Sequence, residues 1–437
     1  MVLGPWLRRR LTSTLRPGDN VPVTSLIVMS RTHRASPSRR RTAVFLAALL
    51  AACATTPSVA PPFLERTYVD FWQAIAALDF DGAERLSTMV SQRDYVRALR
   101  TMAAGHLDEA QKELAVLARS EDSSVARKAE EMLFVALMER PSEVAASLRN
   151  RSSRRLIQGL LVAARLESWT FPDGPVVQPL RRRGPIPLVD VTINGRPVRV
   201  GLDSGAIMTF VGPRLSDQLG LQAGPTKLEI MDTHGERAVA SLGSVDMTLG
   251  GIRIERHPVL VFPPSSSAKG IPLAGFDGLL GWNAIRELRI TIDNTQRTIA
   301  FERPLSLSAR QESFFWLGRP WARARAPNGF PLTLLLDTGS ESRIAPSLVA
   351  RAGLRWGEYS TIDVIGGVTT RREDRIVYRQ TGLYVGGEFA RIEALTARSM
   401  SETAYASPDG VLGGDALTHG RVTIDLRAGE LSISGAR

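Results

Sequence analysis

One cysteine, Cys53, serves a chain of 437 residues. A single thiol can form no internal disulfide and can build no Cys-based metal site, so stability has to come from packed cores. A chain of this length has room for two or three of them. Net basic charge is small outside the N-terminal stretch. The formal net charge is +11, but residues 1–52 hold nine arginines against one acid, Asp19, which leaves only +3 for the rest. That excess argues against a nucleic-acid partner. The apolar run Ala43 to Leu50 has eight residues, far short of the roughly 20 that a membrane-spanning helix needs. Proline is almost missing between residues 63 and 169, where apolar residues such as Phe71, Ile75, Leu78, Leu114 and Leu117 recur at helical spacing.

What surrounds Cys53 is informative. Arg39-Arg40-Arg41 leads into the apolar run, and Leu50-Ala51-Ala52-Cys53 closes it with the small residues that suit a signal peptidase. This resembles a bacterial lipoprotein signal sequence. The resemblance implies a signal peptide over 1–52, with Met29 as a second candidate start, lipidation at Cys53 and a polar tether over 53–62. It also implies a lipid-anchored protein of the bacterial cell envelope that faces the periplasm, on the outer membrane in preference to the inner. The competing reading of Cys53 is a buried thiol in a short helix.

A helical domain is expected over 63–169. Asp79-Phe80-Asp81-Gly82-Ala83-Glu84 and Gly105-His106-Leu107-Asp108-Glu109-Ala110 resemble each other as tetratricopeptide turns do, although their spacing of 27 departs from the usual period. The domain is read either as a spacer bundle or as a surface for a protein partner. Residues 170–185, with Arg181-Arg182-Arg183-Gly184-Pro185, read as an exposed linker. Beyond it the texture is β. Leu188 to Ile193 alternates, Asn194-Gly195 signals a two-residue hairpin, and Val198-Arg199-Val200 resumes the alternation. Brief helices are expected at 213–220, 282–287, 346–353 and 414–418.

The chain then repeats itself. Leu202-Asp203-Ser204-Gly205 returns as Leu336-Asp337-Thr338-Gly339, and Pro213, Leu215, Gly220 and Leu221 return as Pro346, Leu348, Gly353 and Leu354. Gly250-Gly251 returns as Gly386-Gly387, and the block Leu280 to Asp293 returns as Leu412 to Asp425. The offsets are 134, 133, 136 and 132, so four ordered blocks are in register and only small loop changes separate the copies. We read two homologous lobes, 186–304 and 321–437, joined by a connection over 305–320.

Two carboxylates brought together cannot both ionise cheaply. They share a proton, and one can then act as general base on water while the other donates to a carbonyl. Such chemistry needs no metal, cofactor or covalent intermediate. Gly205 and Gly339 permit tight turns, and Ser204 and Thr338 can lock the loops together. Leu202, Leu336, Phe210 and Ile344 can pack beneath them, and each closing Leu-Gly block can cross behind its loop.

These motifs resemble those of the pepsin and retropepsin superfamily of aspartic proteases. Leu202-Asp203-Ser204-Gly205-Ala206 and Leu336-Asp337-Thr338-Gly339-Ser340 match its first element. Leu279-Leu280-Gly281-Trp282-Asn283 and Val411-Leu412-Gly413-Gly414-Asp415 match its second, in the retropepsin form. The resemblance implies a mainly β fold of two retropepsin-like or pepsin-like lobes after the helical domain, catalysis by Asp203 and Asp337, and a polypeptide substrate. It also implies flaps, for which His234 and Gly235 in one copy and Gly366 and Gly367 in the other are candidates. Neither segment holds the tyrosine of the pepsin flap. Two further readings stay open at this point. One is a catalytically inactive peptide-binding adaptor lipoprotein. The other, an actin-like nucleotide binder, leaves the paired Leu-Gly blocks unexplained.

Overall fold

The computed structural model describes residues 66–435, apart from 222–223, 225–226, 232–236, 263–276, 307–313, 355–356, 366–369 and 399–405. The expected signal peptide, the tether, Cys53 and the four flap candidates His234, Gly235, Gly366 and Gly367 lie outside the described residues. No described helix is long and apolar enough to cross a membrane.

Among the described residues, mainly β structure in three sheets follows a layer of six α-helices, Phe71–Ala76, Phe80–Leu86, Val90–Ala103, Leu107–Leu117, Ser123–Glu139 and Arg151–Leu166. Local chemistry sets several of their starts. The Asp79 carboxylate accepts the Gly82 N–H, Asp122 accepts those of Ser124 and Val125, and the Asn150 side chain accepts those of Ser152 and Ser153. Each satisfies donors that the first helical turn leaves without a partner. The two similar turns noted in the sequence begin the helices at Phe80 and Leu107. Tyr95, Leu99, Met102, Leu114, Met132, Leu133 and Leu137 fill the interior of this layer.

The segment 170–185 is built into the sheets. Val176–Pro179 pairs with Thr298–Glu302, Arg181–Arg183 pairs with Ile186–Leu188, and Ser168–Thr170, at the end of the helical stretch, pairs with Arg253–Glu255. Arg182 is half-buried: its guanidinium donates to the carbonyls of Pro185 and Leu417 and to Asn294 Oδ1. Burial without a carboxylate partner pushes its pKa down to about 10. In the connection over 305–320, Phe314–Trp316 is likewise a strand, paired with Pro320–Ala322.

Asn194 and Gly195 take positive φ values of 49° and 78°, the conformation a two-residue hairpin requires, and join Ile186–Ile193 to Arg196–Leu202. The brief helices are found at Pro213–Gln218 and Trp282–Ile285, whereas the second copies at Pro346–Leu348 and Gly414–Leu417 are single 3-10 turns.

The two copies share one strand arrangement. Gly278–Leu280 runs parallel to the end of Arg196–Leu202 and antiparallel to Phe210–Val211. Gly410–Gly413 runs parallel to Pro331–Asp337 and antiparallel to Arg343–Ile344. Leu202, Leu280, Leu336 and Leu412, which pair across these strands, are fully buried, so each Asp leaves a strand end anchored in core. The third sheet takes a strand from each closing block. Arg289–Asp293 pairs antiparallel with Arg421–Asp425, and Thr291 faces its own counterpart, Thr423. Such a pairing centres the two copies on a local twofold relation.

Candidate active site

Each Asp-Ser/Thr-Gly turn begins where a buried strand ends. The Asp203 N–H donates to the Leu280 carbonyl at 3.0 Å, so the closing block holds the start of the turn. Asp203 Oδ1 accepts the Gly205 and Ala206 N–H groups at 2.9 and 3.1 Å, and Asp337 Oδ1 accepts that of Gly339 at 3.0 Å.

The turns interlock. The Ser204 hydroxyl donates to the Leu336 carbonyl at 2.9 Å and accepts the Thr338 N–H at 3.0 Å. The Thr338 hydroxyl donates to the Leu202 carbonyl at 2.7 Å and accepts the Ser204 N–H at 3.0 Å. Both side chains are buried, so all four bonds are shielded from water.

This clasp puts each carboxyl over the opposite glycine. A Cβ on Gly205 would lie 2.4 Å from Asp337 Cγ, and one on Gly339 would lie 2.4 Å from Asp203 Cγ. Neither position admits any residue larger than glycine. The carboxyls of Asp203 and Asp337 are thus neighbours, and the expected site residues Asp203, Ser204, Gly205, Asp337, Thr338 and Gly339 are brought together. Burial, then the negative charge of Asp337 and a hydrogen bond with it, push Asp203 well above the usual carboxylate range. The physical content is that the pair retains a proton where isolated carboxylates would have lost theirs. Arg319, at the turn after Phe314–Trp316 in the connection between the copies, donates to the Gly205 carbonyl.

A further support went unnoticed in the sequence. The Thr209 N–H and hydroxyl both reach Asn283 Oδ1, at 2.6 and 3.0 Å, and the Gly281 N–H donates to Thr209 Oγ1 at 3.1 Å. In the second copy the Ser342 N–H and hydroxyl reach Asp415 Oδ1, both at 2.7 Å, and the Gly413 N–H donates to Ser342 Oγ at 3.0 Å. Thr209 lies six residues past its Asp and Ser342 five past its own. That one-residue difference hides the equivalence from a fixed-offset reading. Phe210 and Ile344 both stand seven residues past their Asp, yet the same slip means that they are not equivalent. Leu279 faces Phe210 and Val411 faces Arg343, so Arg343 is the true counterpart of Phe210, although both Phe210 and Ile344 are buried as expected.

The flap candidates themselves lie outside the described residues, but the strands that flank them pair into hairpins, Met231 with Arg237 and Ile365 with Thr370. Among the described residues no cluster of three or more His, Cys, Asp or Glu could hold a metal ion.

Residues 189–284 match the family model described as aspartyl protease. The matched segment contains Asp203, its Ser-Gly turn and the Leu280-Gly281-Trp282-Asn283 block, and the match supports a relationship to the aspartic protease superfamily. Among solved structures, a retropepsin-like aspartic protease from Rickettsia conorii is similar at 15% identity over 31% of this chain and 94% of that one, with a TM-score of 0.22. No curated protein sequence matches the chain.

Proposed function

We propose that the protein is an aspartic endopeptidase in which Asp203 and Asp337, from two retropepsin-like lobes of one chain, form an intramolecular acid pair. The observation that carries this reading is the reciprocal placement of each carboxyl against the other loop's glycine, with 2.4 Å between the would-be Cβ and the opposing Cγ on both sides. An accidental pair of half-buried acids held this close would be costly without a compensating role.

The mechanism follows from the geometry. With one proton on the pair, the ionised oxygen takes a proton from a water molecule as that water attacks the peptide carbonyl carbon. The protonated partner donates to the carbonyl oxygen as negative charge develops there. In the second step a carboxyl gives its proton to the departing amine, the C–N bond breaks, and the pair returns to its singly protonated state. The Ser204/Thr338 clasp holds the two carboxyls at fixed separation through both steps, which lowers the reorganisation each step needs. An extended polypeptide is the substrate that suits a groove between two lobes.

The same reading takes lobe 1 as 186–304 and lobe 2 as 321–437, with the helical domain 63–169 docked beside them. It places the protein at the cell envelope, lipid-anchored through Cys53 after removal of residues 1–52. The test of the enzymatic part is cleavage of a peptide mixture by the full chain with and without a pepstatin-class inhibitor. Cleavage that the inhibitor blocks supports the acid pair. Inhibitor binding without cleavage of any peptide contradicts the enzymatic reading.

A further inference from the structure

The helical layer reaches the candidate active site by a buried polar route. Glu167 follows the last turn of Arg151–Leu166 as its C-terminal cap. Its Oε1 lies 2.7 Å from His257 Nδ1 and accepts the Trp169 indole N–H at 3.0 Å. His257 is fully buried on the strand Ile252–Val261, with the Trp169 ring edge-on to it. Its Nε2 is 3.0 Å from Thr209 Oγ1, the hydroxyl that joins the Asp203 loop to Asn283 and to the Gly281 N–H.

Proton counting fixes the Glu167 end of this chain of contacts. An acceptor carboxylate at 2.7 Å from Nδ1 requires the proton on Nδ1, and that sets the ring's rotation and tautomer. With the proton on Nδ1, Nε2 is an acceptor, and the Thr209 hydroxyl at 3.0 Å and Asn283 Nδ2 at 3.3 Å are the donors that face it. Asn283 Oδ1 accepts the Thr209 N–H at 2.6 Å and lies 3.0 Å from its hydroxyl, while Asn283 Nδ2 donates to the Pro258 carbonyl at 2.8 Å. Every polar atom named along the route has a partner, and removal of the histidine takes one away from Glu167, from the Thr209 hydroxyl and from the Asn283 amide in a buried setting.

Thr209 is well placed to transmit such a change. Its neighbour Met208 lies against Gly281, where an added Cβ would be 2.3 Å from the Met208 carbonyl carbon. Ala206 accepts the Trp282 N–H at 2.7 Å, and the Leu280 carbonyl holds Asp203. The loop and the closing block therefore move together. A second tie fastens the helical layer to the same block: Arg286 donates to the Glu139 carbonyl at 2.5 Å and pairs with its carboxylate at 3.0 Å. In the second copy, Asp415 supplies the charge that Asn283 lacks to the corresponding hydroxyl.

We propose that Glu167 and His257 are positioning residues for the Asp203 loop, so that the helical layer sets the geometry of the acid pair. The catalytic part of this inference rests on the aspartic endopeptidase reading. The structural part does not.

The experiment compares the full chain with E167Q, H257F and the double variant, by steady-state peptide cleavage and by amide hydrogen exchange. E167Q keeps the shape of a partly exposed side chain and guards against a folding failure of H257F. Each single variant is expected to lower kcat about tenfold to a hundredfold while KM stays within about twofold. The double variant should be no worse than H257F, since both act along one route. Exchange at residues 203–209 should quicken about tenfold in each variant, with residues 337–343 at the wild-type rate. Wild-type kcat in both single variants, or wild-type exchange at 203–209, overturns the proposal. If the wild-type chain cuts no peptide, the endopeptidase reading fails, and exchange alone decides whether Glu167 and His257 position the loop.

Discussion

Asn283 and Asp415 occupy the same place in the two closing blocks, and each accepts both the N–H and the hydroxyl of the residue it supports, Thr209 in one copy and Ser342 in the other. They differ in one respect, because only Asp415 can ionise. Burial pushes Asp415 up to about 6 in spite of the two bonds from Ser342.

The sign of the consequence is fixed. A carboxyl whose pKa is higher when folded contributes its full stability below its ordinary value of 3.8, and that contribution is lost as pH rises through about 6. Asp415→Asn copies the first repeat and removes the loss. It should leave stability unchanged near pH 3.5 and raise it at pH 8 by at most about 3 kcal/mol. Thermal melts at the two pH values check this, and a variant less stable than wild type at pH 8 contradicts it.

The Ser204/Thr338 clasp should be strongly coupled. Ser204→Ala and Thr338→Ala each strand a buried N–H and a buried carbonyl, at about 1–3 kcal/mol per site. The double variant should cost clearly less than the sum, because each single change already breaks the shared network. Urea unfolding of the two single variants and the double variant measures the coupling. Strict additivity would show that the loops are independent.

Gly205 and Gly339 face carboxyls at distances no Cβ tolerates. Gly205→Ala and Gly339→Ala should therefore force the acid pair apart, and peptide cleavage should fall by about 10²-fold or more in each. The raised titration of Asp203 should move back toward ordinary carboxylate values in the same variants, which NMR of the labelled side chain can follow. Retained activity with an undisturbed titration contradicts the packing described.

Much of this architecture could be read from the chain because its cues are local or repeated. Asn194-Gly195 dictates a hairpin by backbone conformation alone, the helical stretch shows itself by apolar residues at helical spacing, and the two Asp-Ser/Thr-Gly turns announce themselves by recurring with their flanking blocks. What escaped depends on partners far away in sequence. Val176–Pro179 looks like a proline-rich connection until Thr298–Glu302 supplies its ladder. Arg182 looks solvated until Leu417 and Asn294 close around it. His257 sits 90 residues from Glu167 and 48 from Thr209, and no periodicity links them. The one-residue slip between Thr209 and Ser342 arises in a loop, where length varies at little cost to the strands on either side.

The most direct test of the central claim is cleavage of a diverse peptide mixture, from pH 4 to 8, by wild type, Asp203→Asn and Asp337→Asn, with products read by mass spectrometry. The account predicts cleavage by wild type and a loss of about 10²–10⁴-fold in each variant, since either substitution removes half of a shared acid–base pair. Cleavage by either variant at the wild-type rate, or none by the wild type at any pH, contradicts it.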